Sequence, residues 1–311
     1  MRFHKFDFND QMDFARLSGD YNPIHTDVVF SRRLLFGSPV VHGIHLVLRS
    51  LDSCLERREE SLEIDSLKVT FNRPIRLEEE VRMSIRGEDE NWFSIYLTSN
   101  QTLATSIEVK FRRKIRHSYS NPVNSSPEKL DANDLTDEEI EVDSGNLDLY
   151  LDKELAARMF PNLVRCIPLL HIAVIIATSR LVGMHCPGLN SLFSALELST
   201  NSSQKQGIMN YAVEKFDKRF GLARIRISAP EIDGKIIAFR RPAPKDQASF
   251  LTLKNLVEIN EFVGQRALII GGSRGLGEVA AKLLCGGGAT VRITYYKGKE
   301  DAHRIVSDIV S

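Results

Sequence analysis

Leu17-Ser18-Gly19-Asp20-Tyr21-Asn22-Pro23-Ile24-His25, followed by Gly37-Ser38-Pro39-Val40-Val41-His42-Gly43, is the stretch on which the fold and the chemistry of this chain turn. It places a carboxylate, an amide and an imidazole in one tight segment. Pro23 fixes its own φ and holds Asn22 in extended geometry, so Asp20 and His25 are carried on a rigid turn. Proton transfer needs such preorganisation. A carboxylate and an imidazole sharing one water can take one proton and return another, best when their pKa values lie near the working pH. Gly43 then opens a helical run with Ile44, Val47, Leu48, Leu51 and Leu55 on one face. The unsatisfied N–H groups and positive dipole end of that helix can hold an oxyanion, and a glycine lets a ligand carbonyl approach closely. On its own, GDYNP also suits a turn in which Asp and Asn cap backbone amides. The addition of His25, the GSPVVHG run and the helix favours catalysis.

Outward from this stretch, strand-like segments follow at Ser66 to Phe71, Glu80 to Arg86, Phe93 to Thr98 and Leu103 to Arg112, with NRP and GEDEN as turns. Residues 117–148 are poor in large apolar side chains and rich in Ser, Asn, Asp, Glu and Pro, which predicts a flexible linker. Beyond it the order repeats: an apolar helix around Ile167 to Leu181, then the strand-like GLNSLFSALEL, NYAVEKFDKRF, GLARIRIS and DGKIIAFRR. The expected divisions are 1–116, the linker 117–148, 149–242 and 250–311. Two halves, each a sheet wrapped on a long helix, can join edge to edge and cover strands that either alone would expose.

Asp20-Tyr21-Asn22-Pro23-Ile24-His25 resembles the D-x-N-P-x-H signature of MaoC-like R-specific enoyl-CoA hydratases, over residues about 10 to 112. The resemblance implies an α+β double hotdog, an antiparallel sheet wrapped on long central helices. It further implies reversible addition of water to a trans-2-enoyl thioester of coenzyme A or acyl carrier protein, giving an (R)-3-hydroxyacyl thioester without a metal or other cofactor. By that resemblance Asp20 and His25 activate water and shuttle the α-proton, Asn22 orients the loop or the water, and the Gly43 N–H holds the thioester oxygen. The second half lacks the hexad, and RLVGMHCPGLNSLF fills its helix-to-strand corner. Its expected role is to complete the double hotdog rather than to carry a second site. His42 and His45, beside the helix start, are expected to make structural contacts, and His185-Cys186 a turn.

Residues 265–296 begin with RALIIG and continue through Gly271, Ser273, Arg274, Gly275, Leu276 and Gly277 into a helical run, GGGA and TVRITYY. Glycines so placed permit a tight turn and close approach of a pyrophosphate to a helix N-terminus. The pattern resembles the opening of short-chain dehydrogenases/reductases and predicts a partial Rossmann βαβ segment. Arg274, Tyr296 and Lys297, with no acidic residue ending the second strand, favour NADP over NAD in a complete domain. The roughly 250 residues of such a domain and its serine, tyrosine and lysine are not expected here, so nicotinamide chemistry is not the expected activity.

Forty-one basic residues balance forty-one acidic ones among 311, which excludes a sequence-wide field for nucleic acid or an anionic membrane. Cys54, Cys166, Cys186 and Cys285 lack metal-ligand spacing and predict neither a zinc site nor a disulfide scaffold. The amino terminus, MRFHKFDFND, does not read as a signal peptide, and the Ile167–Ala177 run is too short to span a bilayer, so a cytoplasmic protein is expected. Homodimerisation is compatible with the fold but not required by it. Competing expectations are a hotdog thioesterase, a non-catalytic acyl-binding module feeding a reductase, and, for a longer gene product, an NADP-dependent 3-oxoacyl reductase.

Overall fold

The computed structural model describes residues 2–34, 36–87, 89–113, 121–201, 207–243 and 245–310. It falls into two compact units, Met1–Pro242 and Ala243–Ser311.

The first unit begins with strand β1 (Arg2–His4) and helices α1 (Phe8–Ser18), α2 (Pro23–Thr26), α3 (Val28–Arg32) and α4 (Gly43–Cys54). Strands β2 (Leu62–Phe71), β3 (Val81–Gly87), β4 (Trp92–Ser99) and β5 (Thr102–Arg113) follow. Then come α5 (Asp137–Glu141), β6 (Ser144–Asp148), α6 (Lys153–Met159), α7 (Pro161–Cys166) and α8 (Leu169–Arg180), the last continuing as a π-helical turn, Leu181–His185. Strands β7 (Ser191–Thr200), β8 (Ile208–Asp217), β9 (Leu222–Ala229) and β10 (Ile232–Arg240) complete the unit.

All ten strands join one sheet in the order β1-β3-β4-β5-β2-β7-β10-β9-β8-β6. Counted from the outer edge inward, the first five are arranged 1-3-4-5-2 and the second five 6-8-9-10-7, so the same topology occurs twice. The copies meet where β2 and β7 pair antiparallel, Ser66 opposite Ser199 and Thr70 opposite Ala195. That pairing removes two edges that would otherwise expose ladder groups.

Each copy has its central helix. On α4 the five positions of the sequence stripe, Ile44, Val47, Leu48, Leu51 and Leu55, are all buried. On α8 nearly every residue is buried, as expected for a helix apolar on all sides. Both helices belong to a single core with the inward side chains of the sheet.

The expected linker departs from its sequence reading over 121–148; residues 117–120 lie outside the described residues. Thr136 and Glu139 form a reciprocal capping box that starts α5, whose Ile140 is fully buried. Ser144–Asp148 then pairs with β8 as the outermost strand, the counterpart of β1. Asp134 bridges Gly188, and Leu189 N donates to Asn133 O at 2.7 Å. A short polar edge strand that buries only Leu147 leaves almost no hydrophobic signal, which is why composition alone reads as a tether.

The second unit contains α9 (Phe250–Lys254), β11 (Arg266–Ile269), α10 (Gly275–Gly286), β12 (Thr290–Ile293) and α11 (Lys299–Val310). β11 and β12 are parallel and joined through α10. Gly271 and Gly275 have positive φ, 76° and 57°, and a Cβ on Gly277 would lie 2.4 Å from the Gly271 carbonyl oxygen. Turn and helix therefore approach at a distance only glycine permits. Glu278 and Lys282 form a buried pair at 2.7 Å, with Asp308 on the same ammonium at 2.8 Å.

Among the described residues no helix is long and apolar enough to cross a membrane. Cys54, Cys166, Cys186 and Cys285 are all free.

Candidate active site

The hexad is built into the fold from both sides. Helix α1 ends at Gly19, whose φ of 74° is the left-handed geometry that turns the chain, and a Cβ there would meet Pro127 at 2.8 Å and Arg180 at 2.9 Å. The turn delivers Asp20 to the interior, where it is 2% exposed. Asn22 caps α2, its Oδ1 accepting from Ile24 N at 3.1 Å, with Pro23 at the favoured first helical position. The Asn22 amide nitrogen donates to the carbonyls of Gly183 at 2.7 Å, Gly188 at 3.2 Å and Leu189 at 3.3 Å. Both ends of Asn22 are therefore spent on backbone. Of the two roles expected for it, the geometry supports bracing the loop and not orienting water.

His25 donates from Nδ1 to the Val40 carbonyl at 2.8 Å, which leaves the Nε2 lone pair of the neutral ring available. Its ring stacks on His42 at 3.9 Å between centroids. Side-chain ligand atoms of Asp20, His25 and His42 all lie within 4.8 Å of one another, a cluster small enough for a metal ion. His42, however, has a protein oxygen against each ring nitrogen: Nδ1 lies 2.9 Å from Gln11 Oε1 and Nε2 2.9 Å from the Asp20 carbonyl, and burial pushes its pKa well below the ordinary value, so the neutral ring donates to one of the two. It braces the turn and the second imidazole. His45 packs flat on Phe14 at 4.8 Å and faces Gln11 Nε2 at 3.3 Å, and burial pushes its pKa down to about 3, so it stays neutral.

Asp20 and His25 face a cavity of about 240 Å³, walled also by Gly43, Phe71, Phe193 and Phe239. Gly43 is the first residue of α4, and no side chain caps that end. Its backbone N–H thus belongs to the set that a helix leaves without internal acceptors. A Cβ on Gly43 would meet the Phe71 ring at 2.8 Å, so glycine keeps the cavity open on that side. A broader trough of about 850 Å³ on the sheet, bordered by Lys68, Trp92, Glu108 and Arg226, contains none of these groups.

Burial drives the electrostatics. Desolvation raises the pKa of Asp20, opposed by the charge of His25 and by hydrogen bonds from Ser179 and Asn22 N. Desolvation lowers that of His25, opposed by the charge of Asp20 and the Val40 bond. Both shifts move the pair toward a state that shares one proton with no net charge.

The sequence did not disclose the second half's share of this site. Ser179 Oγ, on α8, donates to Asp20 Oδ2 at 2.7 Å. Gly183, in the π-helical turn, lies so close that a Cβ there would sit 2.2 Å from Asp20 Oδ1. The one signal available was the glycine in RLVGMHC, within an otherwise bulky run, since an isolated glycine in a helix often marks a close approach. Removing the serine hydroxyl should raise the Asp20 pKa further, because that bond favours the carboxylate. In Ser179→Ala the activity limb that follows Asp20 is expected to move to higher pH, and an unmoved pH–rate profile would show that the bond carries no weight.

The nucleotide-binding candidates Gly271, Ser273, Arg274, Gly275, Leu276 and Gly277 all lie in the second unit, around the turn into α10. Arg274 is its N-cap without a side-chain cap bond, and Leu276 is 88% exposed. Lys297 Nζ lies 5.4 Å from the centroid of the exposed Tyr296 ring.

Residues 5–111 match the family model described as MaoC like domain. This part of the chain is a MaoC-like domain. It contains the whole hexad, Gly43, strands β2 to β4 and all but the last two residues of β5. A curated relative, "Fatty acid synthase beta subunit stcK" of Emericella nidulans, is 36% identical over 75 residues, covering 24% of this chain. The chain spans only 4% of that relative's length. Among solved structures, a "MaoC-like dehydratase" has a TM-score of 0.49 at 11% identity, covering 77% of this chain and 96% of its own. The "(R)-hydratase from A. caviae involved in PHA biosynthesis" has a TM-score of 0.31 at 23% identity, covering 36% of this chain and 92% of its own.

Proposed function

We propose that the first unit catalyses the reversible hydration of trans-2-enoyl thioesters to (R)-3-hydroxyacyl thioesters. The observation that carries this reading is the convergence of Asp20 and His25, on one cavity with the uncapped helix end at Gly43. A water held between the carboxylate and the imidazole loses a proton to one of them as its oxygen bonds to Cβ. The π electrons move toward the thioester carbonyl, whose oxygen takes up negative charge at the Gly43 N–H. The other member of the pair delivers a proton to Cα, which restores the carbonyl and leaves the pair with one proton, as at the start. Dehydration is the same path reversed. The reaction is redox-neutral and needs no nucleotide, so the second unit takes no part in its chemistry.

The similarity to a segment of a fatty acid synthase beta subunit supports a fatty-acyl or polyketide thioester as substrate, on coenzyme A or acyl carrier protein. The conjugated enoyl-thioester absorbance of crotonyl-CoA should fall rapidly on adding the protein. Folded protein that leaves the absorbance of crotonyl-CoA, longer enoyl-CoA and enoyl-carrier substrates unchanged would overturn the proposal.

A further inference from the structure

The end of β10 carries two consecutive arginines with opposite fates. Arg240 is paired, its Nε donating to the Leu135 carbonyl at 3.0 Å and its Nη1 to Asp137 at 2.9 Å. Arg241 continues the extended chain, its backbone N donating to Asn190 O at 2.7 Å, while Arg240 N donates the other way to Gly221 O at 2.6 Å. Consecutive side chains of an extended chain point to opposite faces, so Arg241 shares a face with Phe239, two positions earlier. Phe239 lines the cavity that holds Asp20 and His25.

Arg241 Nε and Nη2 are both buried without a hydrogen-bond partner, and no carboxylate pairs with this side chain among the described residues. Enclosing guanidinium nitrogens without acceptors is costly, and proteins ordinarily pair them. The group keeps its charge at neutral pH, although burial pushes its pKa down to about 10. That charge reaches His25, whose protonation it disfavours.

We propose that Arg241 is a specificity residue that binds an anionic group of the thioester substrate. The planar fork of donors suits a phosphate of the carrier arm or a carboxylate on the acyl chain, and both complete the same hydrogen bonds. This deepens the hydratase reading and rests on it for the nature of the substrate. An anion at Arg241 also screens its charge from His25, so a ligand that carries one readies the imidazole to hold a proton.

The test is calorimetric and uses saturated thioesters, which cannot be hydrated, so it is independent of turnover. Full-length wild type and Arg241→Gln are titrated with butyryl-CoA, with butyryl-pantetheine, which has no phosphate, and with glutaryl-pantetheine, which adds an acyl carboxylate. The expected result is a loss of about 10- to 100-fold in affinity, the size of charge-assisted hydrogen bonds, confined to a charged ligand. Loss with butyryl-CoA alone assigns the phosphate, and loss with glutaryl-pantetheine alone assigns the carboxylate. Equal binding of all three by both proteins, equal weakening of all three, or no binding by wild type overturns the inference. Arg241-dependent binding of butyryl-CoA by a protein that leaves crotonyl-CoA untouched keeps the inference and removes the hydratase reading.

Discussion

Asp20→Asn and His25→Ala are each expected to lower kcat on crotonyl-CoA by roughly 10²- to 10⁴-fold, the contribution of a positioned acid or base. Neither change should unfold the chain. Asparagine is nearly isosteric with Asp20, and its amide can accept from Asn22 N through the oxygen and donate to Ser179 Oγ through the nitrogen, while His25 sits at the cavity rim and only partly in the core. A thermal melt of each variant separates lost chemistry from lost fold. The pH–rate profile of the wild type should be bell-shaped, falling on the acid side as the pair takes a second proton and on the alkaline side as it loses the one it shares. Burial opposes both charged extremes, since it raises Asp20 and lowers His25. In Asp20→Asn the carboxylate charge that lifts His25 is gone, so an NMR titration should find the His25 pKa lower still than in wild type. An Asp20→Asn enzyme with wild-type kcat, or one whose His25 titrates at higher pH, would exclude Asp20 from the role assigned to it.

Sequence patterns were most legible in the half that carries the hexad, because there the local and global signals agree. The cap at Asn22 and the apolar stripe of α4 are each encoded within a few residues, and each stands where the pattern places it. Strand boundaries came within a few residues for the same reason, β2 starting earlier at Leu62 than its alternation suggests. What stayed hidden depends on contacts between residues far apart in the chain, from Asp148 opposite Ile208 to Ser179 on Asp20. β6 is polar on its exposed side and becomes a strand only because β8 offers it an edge. Ser179 is one hydroxyl on an otherwise greasy helix, and nothing in its neighbourhood announces that its partner is Asp20. The two carbonyls that Asn22 binds most closely, Gly183 and Gly188, are backbone groups, which no residue pattern records.

This division gives the half without the hexad a part in the proposed chemistry of the other. Pairing β2 with β7 is a stability argument for the duplication, since each half closes the other's edge. The hydrogen bonds to Asp20 and Asn22 add a functional one. The proposed acid–base pair comes from the first copy, while the second supplies the donor and the carbonyls that hold Asp20 and Asn22 in place. Loss of the second half would therefore leave Asp20 and His25 present but unpositioned.

Gly183→Ala tests that dependence most sharply, because it changes one methyl group far along the chain from the hexad. The new Cβ would lie 2.2 Å from Asp20 Oδ1, 2.6 Å from Cγ and 2.7 Å from Oδ2. The carboxylate has no free direction in which to yield, being held by Ser179 on one oxygen and by Asn22 N on the other. Either the carboxylate or the π-helical turn must shift, and the turn cannot do so alone because its Gly183 carbonyl accepts from Asn22 at 2.7 Å. A displacement near 1 Å in a catalytic group costs about 10²-fold, so kcat/KM is expected to fall by at least that much. Overpacking should cost about 1–3 kcal/mol in stability, measurable by denaturant unfolding. Gly207→Ala is the matched control, since its methyl would meet nothing closer than 4.0 Å and should leave both quantities unchanged. If Gly183→Ala is folded and as active as the control, the second half does not hold Asp20 in place, and its helix serves only to fill the core.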